Sequence, residues 1–249
     1  SAEAGAVLDK LGGAAWQARK ARVKRDLLVL ANELLKIAAA RVLRHTDPIH
    51  LPEISYEKFS SGFPYPETED QQKAIEDVLE DLDRDQAMDR LVCGDVGFGK
   101  TEVALRAAAV VALSGYQVAL IAPTTLLARQ HHQTFMRRFQ GFPVKIGLLS
   151  RFVSAKEADE TRAALHEGSM GIVIGTHALL SEKMHFKNLA LLIVDEEQKF
   201  GVKQKERLKQ LKENVHVLTL TATPIPRTLQ MALTGVRELS LITTAPIDR

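Results

Sequence analysis

From Ala14 to Arg44 the chain contains no glycine or proline, and Trp16, Val23, Leu27, Leu30, Leu34 and Ile37 recur at steps of seven, four and three. That repeat keeps apolar side chains on one face of an α-helix, so one long amphipathic helix is predicted. At 1.5 Å per residue it would reach roughly 45 Å, more than most helices of compact domains. Between His45 and Pro66 prolines and turn residues replace the periodicity, and the segment reads as a connector.

Beyond Pro66 the pattern changes to short β-branched or leucine-rich runs at Leu91–Cys93, Val118–Ala122, Val144–Leu149, Gly171–Gly175, Leu191–Val194 and Val217–Thr221. Segments of helical spacing, Thr101–Leu113, Leu126–Phe139 and Ala155–His166, lie between several of them. Apolar strands alternating with helices predict an α/β fold, a parallel sheet covered by helices on both faces. The expected division is an N-terminal arm at 1–46, a connector at 47–66 and a sheet domain at 67–249. Ligands of such sheets bind at the carboxyl ends of the strands.

The 249 residues carry a net charge of +2, but residues 1–50 hold nine Lys/Arg against five Asp/Glu. The cluster Arg19, Lys20, Arg22, Lys24 and Arg25 reads as a solvated or partner-docking face ahead of a nucleic-acid contact. No run approaches the ~18–20 apolar residues of a membrane span, and no signal sequence is visible, so a soluble, cytoplasmic protein without membrane contact is expected. The single cysteine, Cys93, excludes an internal disulfide and reads as a small packing residue. Eight histidines lack metal-ligand spacing, and no zinc is expected.

Candidate chemistry starts at Gly94-Asp95-Val96-Gly97-Phe98-Gly99-Lys100-Thr101, a complete G-x-x-x-x-G-K-[ST] loop between a predicted strand and a helix opening at Glu102. Its glycines let backbone N–H groups curl around phosphate oxygens at the positive end of a helix. Lys100 is expected to reach the β and γ phosphates of a nucleoside triphosphate, and Thr101 its Mg²⁺. About a hundred residues on, the apolar run ending at Val194 delivers Asp195 and Glu196. Asp195 is expected to hold the Mg²⁺ through water, opposite Thr101, and Glu196 to polarise the attacking water.

Four further segments complete the pattern: Thr68 to Gln71, Pro123 to Gln130, Ile174 to His177, and Thr221 to Thr228. In this order, with the last three at strand ends, they resemble the first RecA-like lobe of superfamily 2 helicases and translocases. The resemblance implies ATP as cofactor, with Gln71 reading the adenine, Phe63 stacking on it, and every residue from Gly94 to Glu102 in the ATP-binding set. It implies a grip on the DNA backbone by Pro123, Thr124, Thr125, Arg151, Gly175, Thr176 and His177, through groups that meet phosphates without reading bases. Gln198, Thr221, Thr223 and Arg227 would couple the two sites.

The ending Thr-Pro-Ile-Pro-Arg-Thr occurs in the RecG fork-reversal branch and in the transcription-repair coupling factors, Mfd. Phe98 within the loop, Ser150-Arg151-Phe152 and Ile193 to Val202 are similar to the Mfd branch, as is Leu11-Gly12-Gly13 ahead of a basic, Trp-bearing helix. That likeness implies a translocase on double-stranded DNA that displaces stalled RNA polymerase, with RNA polymerase and UvrA engaged through other modules. One departure is Gln198, where that branch usually has His. Nothing resembles the Gln-x-x-Gly-Arg-x-x-Arg motif of a second lobe, so a fragment that hydrolyses ATP poorly alone is expected. The alternatives are a RecG-like fork-remodelling lobe, a nucleotide- and DNA-binding module without turnover, and a small-molecule kinase, which would leave Pro123–Gln130 and Thr221–Thr228 unexplained. An exposed apolar stripe on the long helix would invite a homodimer.

Overall fold

The structure is a computed structural model that describes residues 13–97, 99–227, 230–231 and 238–244, without the side chains at 30, 33, 34, 37, 38, 41 and 42. Helix α1 (Ala14–Val42) is the predicted long helix. Helices α2 (Glu53–Ser61) and α3 (Glu69–Leu82) follow, and then strand β1 (Asp89–Gly94). Strands and helices next alternate: α4 (Lys100–Leu113), β2 (Gln117–Ile121), α5 (Thr125–Arg138), β3 (Ile146–Leu149), α6 (Ala155–Glu167), β4 (Ile172–Gly175), β5 (Leu189–Asp195), α7 (Val202–Leu211), β6 (His216–Thr221) and β7 (Glu238–Ile242). The seven strands form one parallel sheet in the order β3-β4-β2-β5-β6-β1-β7.

Both faces of the sheet's central strands are dry. Along β5, Leu191 and Ile193 join the apolar cluster under α2 to α5, while Leu192 and Val194 join the one under α6 and α7. This is the period-two alternation of a strand, with apolar residues on each side, which is why the run reads as continuously hydrophobic. Helix α4 buries every residue from Glu102 to Val111, and its alanines let it lie close against the sheet.

The connector holds more structure than its prolines predict. Helix α2 lies inside it and carries Phe59, fully buried and 4.6 Å from the ring of Phe139 and 5.5 Å from that of Phe142. A nine-residue helix with no side-chain N-cap bond has little stability of its own, so this aromatic packing holds it. The N–H groups of Thr46 and Ile49 donate to Asp85 and Leu82 carbonyls, fastening the start of the connector to the end of α3.

Strand β7 was also not predicted. It adds to the sheet edge beside β1, and Asp70 on α3 accepts from the N–H and hydroxyl groups of both Thr243 and Thr244 just beyond it. Those bonds, led by the Thr244 hydroxyl, hold the Asp70 carboxyl below its usual range. Of helix α1, every described side chain is exposed, Trp16, Leu27, Leu28 and Leu35 among them. Among the described residues no helix is long and apolar enough to cross a membrane.

His216, at the start of β6, closes the opposite end of the sheet and is 1 % exposed. Its Nδ1 accepts from the Met88 N–H at 2.9 Å, so the ring proton resides on Nε2 and is donated to Thr46 Oγ1 at 3.2 Å. Burial pushes its pKa down to about 4. Because the folded value lies below the unfolded one of about 6.5, the neutral ring contributes fully above pH 6.5 and its contribution is lost as pH falls toward 4. That loss should total about 3 kcal/mol across the window. Urea unfolding between pH 7 and pH 4 should show it, and His216→Asn, which can still accept from Met88, should flatten the profile. An equally steep profile in the variant would contradict this role.

Candidate nucleotide and nucleic-acid site

The strand order sorts the predicted site residues into two neighbouring groups on the carboxyl rim. The phosphate loop follows β1, Asp195 and Glu196 end β5, and Thr221 ends β6, and these three strands are adjacent. The segments expected on DNA follow β2, β4 and β3, also adjacent. The seam between the groups runs between β2 and β5.

On the first half, a cleft of about 820 Å³ is lined by Phe63, Val96, Gly97, Gly99, Lys100, Thr101, Glu102, Asp195 and Glu196, along with residues of α5. Gly97 and Gly99 have φ of 83° and 94°, a left-handed backbone that a side chain disfavours, and a Cβ on Gly97 would meet nothing within 4 Å. The loop thus opens into the cleft at the N-terminus of α4. Val96 and Asp95 are exposed, whereas Gly94 passes close to Ile242, which a Cβ would meet at 3.0 Å. Phe98 lies outside the described residues.

Lys100 donates its ammonium to the carbonyls of Gly94 and Asp95, the latter at 3.2 Å. Burial pushes its pKa below the usual lysine range, against the pull of Glu196, Asp195 and Asp95. An anion entering the loop offers this cation a stronger partner than two neutral carbonyls. Thr101 and Asp195, an oxygen donor pair with backbone N–H groups alongside, suit a phosphate accompanied by a hard divalent cation.

Glu196 is held in a strained conformation, φ 52°, unique among the described non-glycine residues. Its carboxylate accepts from the Ala222 N–H at 2.9 Å, the Thr221 hydroxyl at 3.3 Å and the Gln198 amide. The same Gln198 amide donates to the Thr223 hydroxyl at 3.2 Å. Gln198 therefore bridges Glu196 to Thr223, and Thr221 is reached by Glu196 itself. Arg227 is exposed, and Thr228 lies outside the described residues.

Around the phosphate loop, Gln71 and Glu102 are committed to contacts within the protein. Gln71 is fully buried, fixed by its place in the first turn of α3, where Thr68 caps its N–H. It donates to the Gly99 carbonyl at 3.2 Å, so it braces the phosphate loop directly, and its Oε1 has no partner among the described residues. Glu102 lines the cleft, but its carboxylate is turned inward. Its carboxylate is buried between Arg106, at 2.6 Å, and Arg138, while Arg106 also reaches Glu67 and Tyr56. These hydrogen bonds outweigh desolvation and raise the Arg106 pKa above its usual value. Phe63 sits with its ring 5.8 and 5.6 Å from these two guanidinium groups.

Arg106 and Arg138 escaped the sequence reading, as did His131, whose Nε2 lies 2.7 Å from Asp195 Oδ2. A signal was present: Ala128, His131 and Phe135 fall at helical spacing on the buried stripe of α5, where a histidine needs a partner.

Residues 68–232 match the DEAD/DEAH box helicase family. The chain belongs to that family. It is 52% identical over 242 residues to the transcription-repair-coupling factor of Bacillus subtilis and 53% identical over 248 residues to that of Rickettsia prowazekii, covering 97% and 98% of this chain. It spans about a fifth of those curated relatives, 21% and 22% of their length. A structure of RecG bound to a three-way DNA junction superposes with a TM-score of 0.78 at 32% identity, over 94% of this chain and 32% of that one.

In this helicase-family chain the second half of the rim is less open than its motifs suggest. Thr124 is exposed, but its hydroxyl caps α5 by accepting from the Leu127 N–H at 3.2 Å, with Pro123 and Thr125 half-buried beside it. Gly175 is buried, and a Cβ there would overlap the Leu149 carbonyl oxygen. Thr176 is buried too, its N–H bonded to that carbonyl at 3.2 Å. Gly175 thus serves the close approach of β4 to β3, leaving His177 as the exposed member of that trio. Arg151 is exposed after β3, stacked at 4.9 Å on the equally exposed Phe152.

Proposed function

We propose that this chain is the nucleotide-binding lobe of an ATP-driven motor that moves on double-stranded DNA and displaces stalled RNA polymerase in bacterial transcription-coupled repair. The observation that carries this reading is the bonding of Glu196 to Thr221 and Ala222, which joins the acid of a hydrolytic site to the neighbouring strand end. Bound Mg²⁺·ATP would supply the γ-phosphate whose cleavage drives the motor. Backbone N–H groups at the start of α4 would hold its phosphates, with Lys100 exchanging its carbonyl partners for them. Thr101 and Asp195 would hold the metal, and Glu196 would orient water and accept its proton. A changed contact at Glu196 would be felt by Thr221 and, through Gln198, by Thr223.

Backbone groups at the N-terminus of α5, His177 and Arg151 would meet DNA phosphates. Contacts with RNA polymerase and UvrA would lie in other parts of a longer protein working in the bacterial cytoplasm. The fit to RecG favours fork remodelling as a second reading, but the higher identity to the coupling factors favours the first. A longer protein containing this chain should hydrolyse ATP faster when duplex DNA is added. The 249 residues alone should turn over about 10³-fold or more slowly, because an arginine finger of a second lobe contributes on that order. Turnover indifferent to DNA in the longer protein would sink the motor reading, and DNA-stimulated turnover by the 249 residues alone would sink the half-site reading.

A further inference from the structure

His131 lies six residues into α5, the helix that starts at the expected DNA-contacting segment, and crosses the seam of the rim to reach Asp195 on β5. Both side chains are about nine-tenths buried, at 10% and 11% exposure. A carboxylate only accepts, so the proton in this bond is on His131 Nε2. Among the described residues it is the one hydrogen bond made to the Asp195 carboxylate, which leaves the second oxygen for a ligand.

The plain alternative is a structural tie that seats α5 on the sheet. Other contacts already do that: Ala128 and Phe135 are fully buried on either side of His131, and Arg138 binds Glu102 and the Phe59 carbonyl at the far end of the helix. The bond is instead placed where it decides how a metal-facing carboxylate is turned. Partners of this kind, one step removed from a metal, fix the orientation of its ligands.

We propose that His131 is a positioning residue: its N–H holds one oxygen of Asp195 so that the other is presented to Mg²⁺ beside Thr101. This rests on the ATP-site reading above. It also means that the carboxylate follows any tilt of α5.

The test is the Mg²⁺ concentration at which the 249-residue chain half-saturates with fluorescent N-methylanthraniloyl-ADP, beside the affinity for the same probe in EDTA. His131→Leu should raise the Mg²⁺ midpoint about tenfold or more, the range seen when such outer partners are removed, with the EDTA affinity unchanged. His131→Gln keeps an N–H donor near the Nε2 position and should recover most of the loss. His131→Asn, too short to reach Asp195, should behave like leucine and replaces it if that chain does not fold. An unchanged midpoint in the leucine or asparagine chain would overturn the proposal, as would a glutamine no better than either. No probe binding by the unsubstituted chain in Mg²⁺ or EDTA would instead overturn the ATP-site reading on which the proposal stands.

Discussion

Replacing Glu196 by glutamine in the longer protein is expected to lower ATP turnover about a thousandfold, in the middle of the 10²–10⁴ range for a general base, while nucleotide affinity stays within about threefold. Glu196 holds an unfavourable backbone conformation, and three donors, from Ala222, Thr221 and Gln198, aim its carboxylate. Glutamine keeps the size and one acceptor oxygen, so the Ala222 bond can persist, but it cannot take a proton from water. Lys100, Thr101 and the loop amides are untouched, which is why binding should survive. Single-turnover phosphate release together with a binding isotherm separates the two effects. Turnover near that of the unsubstituted protein would mean that another group activates the water.

The largest stability effect is expected at Glu102, one residue past the phosphate loop. Its 3% exposed side chain accepts from Arg106 and Arg138, whose own side chains are 6% and 11% exposed. Glu102→Leu would leave two buried cations sharing the remaining acceptors, Glu67, Tyr56 and the Phe59 carbonyl. Removing one partner of a buried ion pair costs about 3–5 kcal/mol, far more than loss of a surface pair. Urea unfolding at pH 7 should show a lower midpoint with an unchanged slope. A loss under about 1 kcal/mol would mean that solvent or Glu67 neutralises the cluster unaided.

What the sequence revealed and what it hid follow from how local each signal is. The loop from Gly94 to Thr101 and the acids after Val194 could be read directly, because contiguous residues make them and a strand and helix frame them. The runs at β2, β4 and β5 were the plainest, because central strands buried on both faces carry few polar residues. Strand β7 was not, since its Glu238-Leu-Ser-Leu-Ile pattern is short and half-polar and gains its place from distant partners, β1 and the acids of α3. Helix α2 was hidden because its stability comes from Phe139 and Phe142, some eighty residues away. Thr124 and Gly175 were read for possible contact with DNA, yet a cap and a tight strand approach account for them. His131 and Asp195 are 64 residues apart, and only the sheet order brings them together.

The central claim, that this cleft powers movement along DNA against RNA polymerase, is met most directly by one measurement. A longer protein carrying this chain is mixed with RNA polymerase stalled on a duplex template, and release of the polymerase is followed over time with ATP, with and without Lys100→Ala. The unsubstituted protein should release the polymerase only when ATP is present, and the alanine variant should hold it as firmly as a reaction without ATP. Release by the Lys100→Ala protein at the unsubstituted rate would contradict the account.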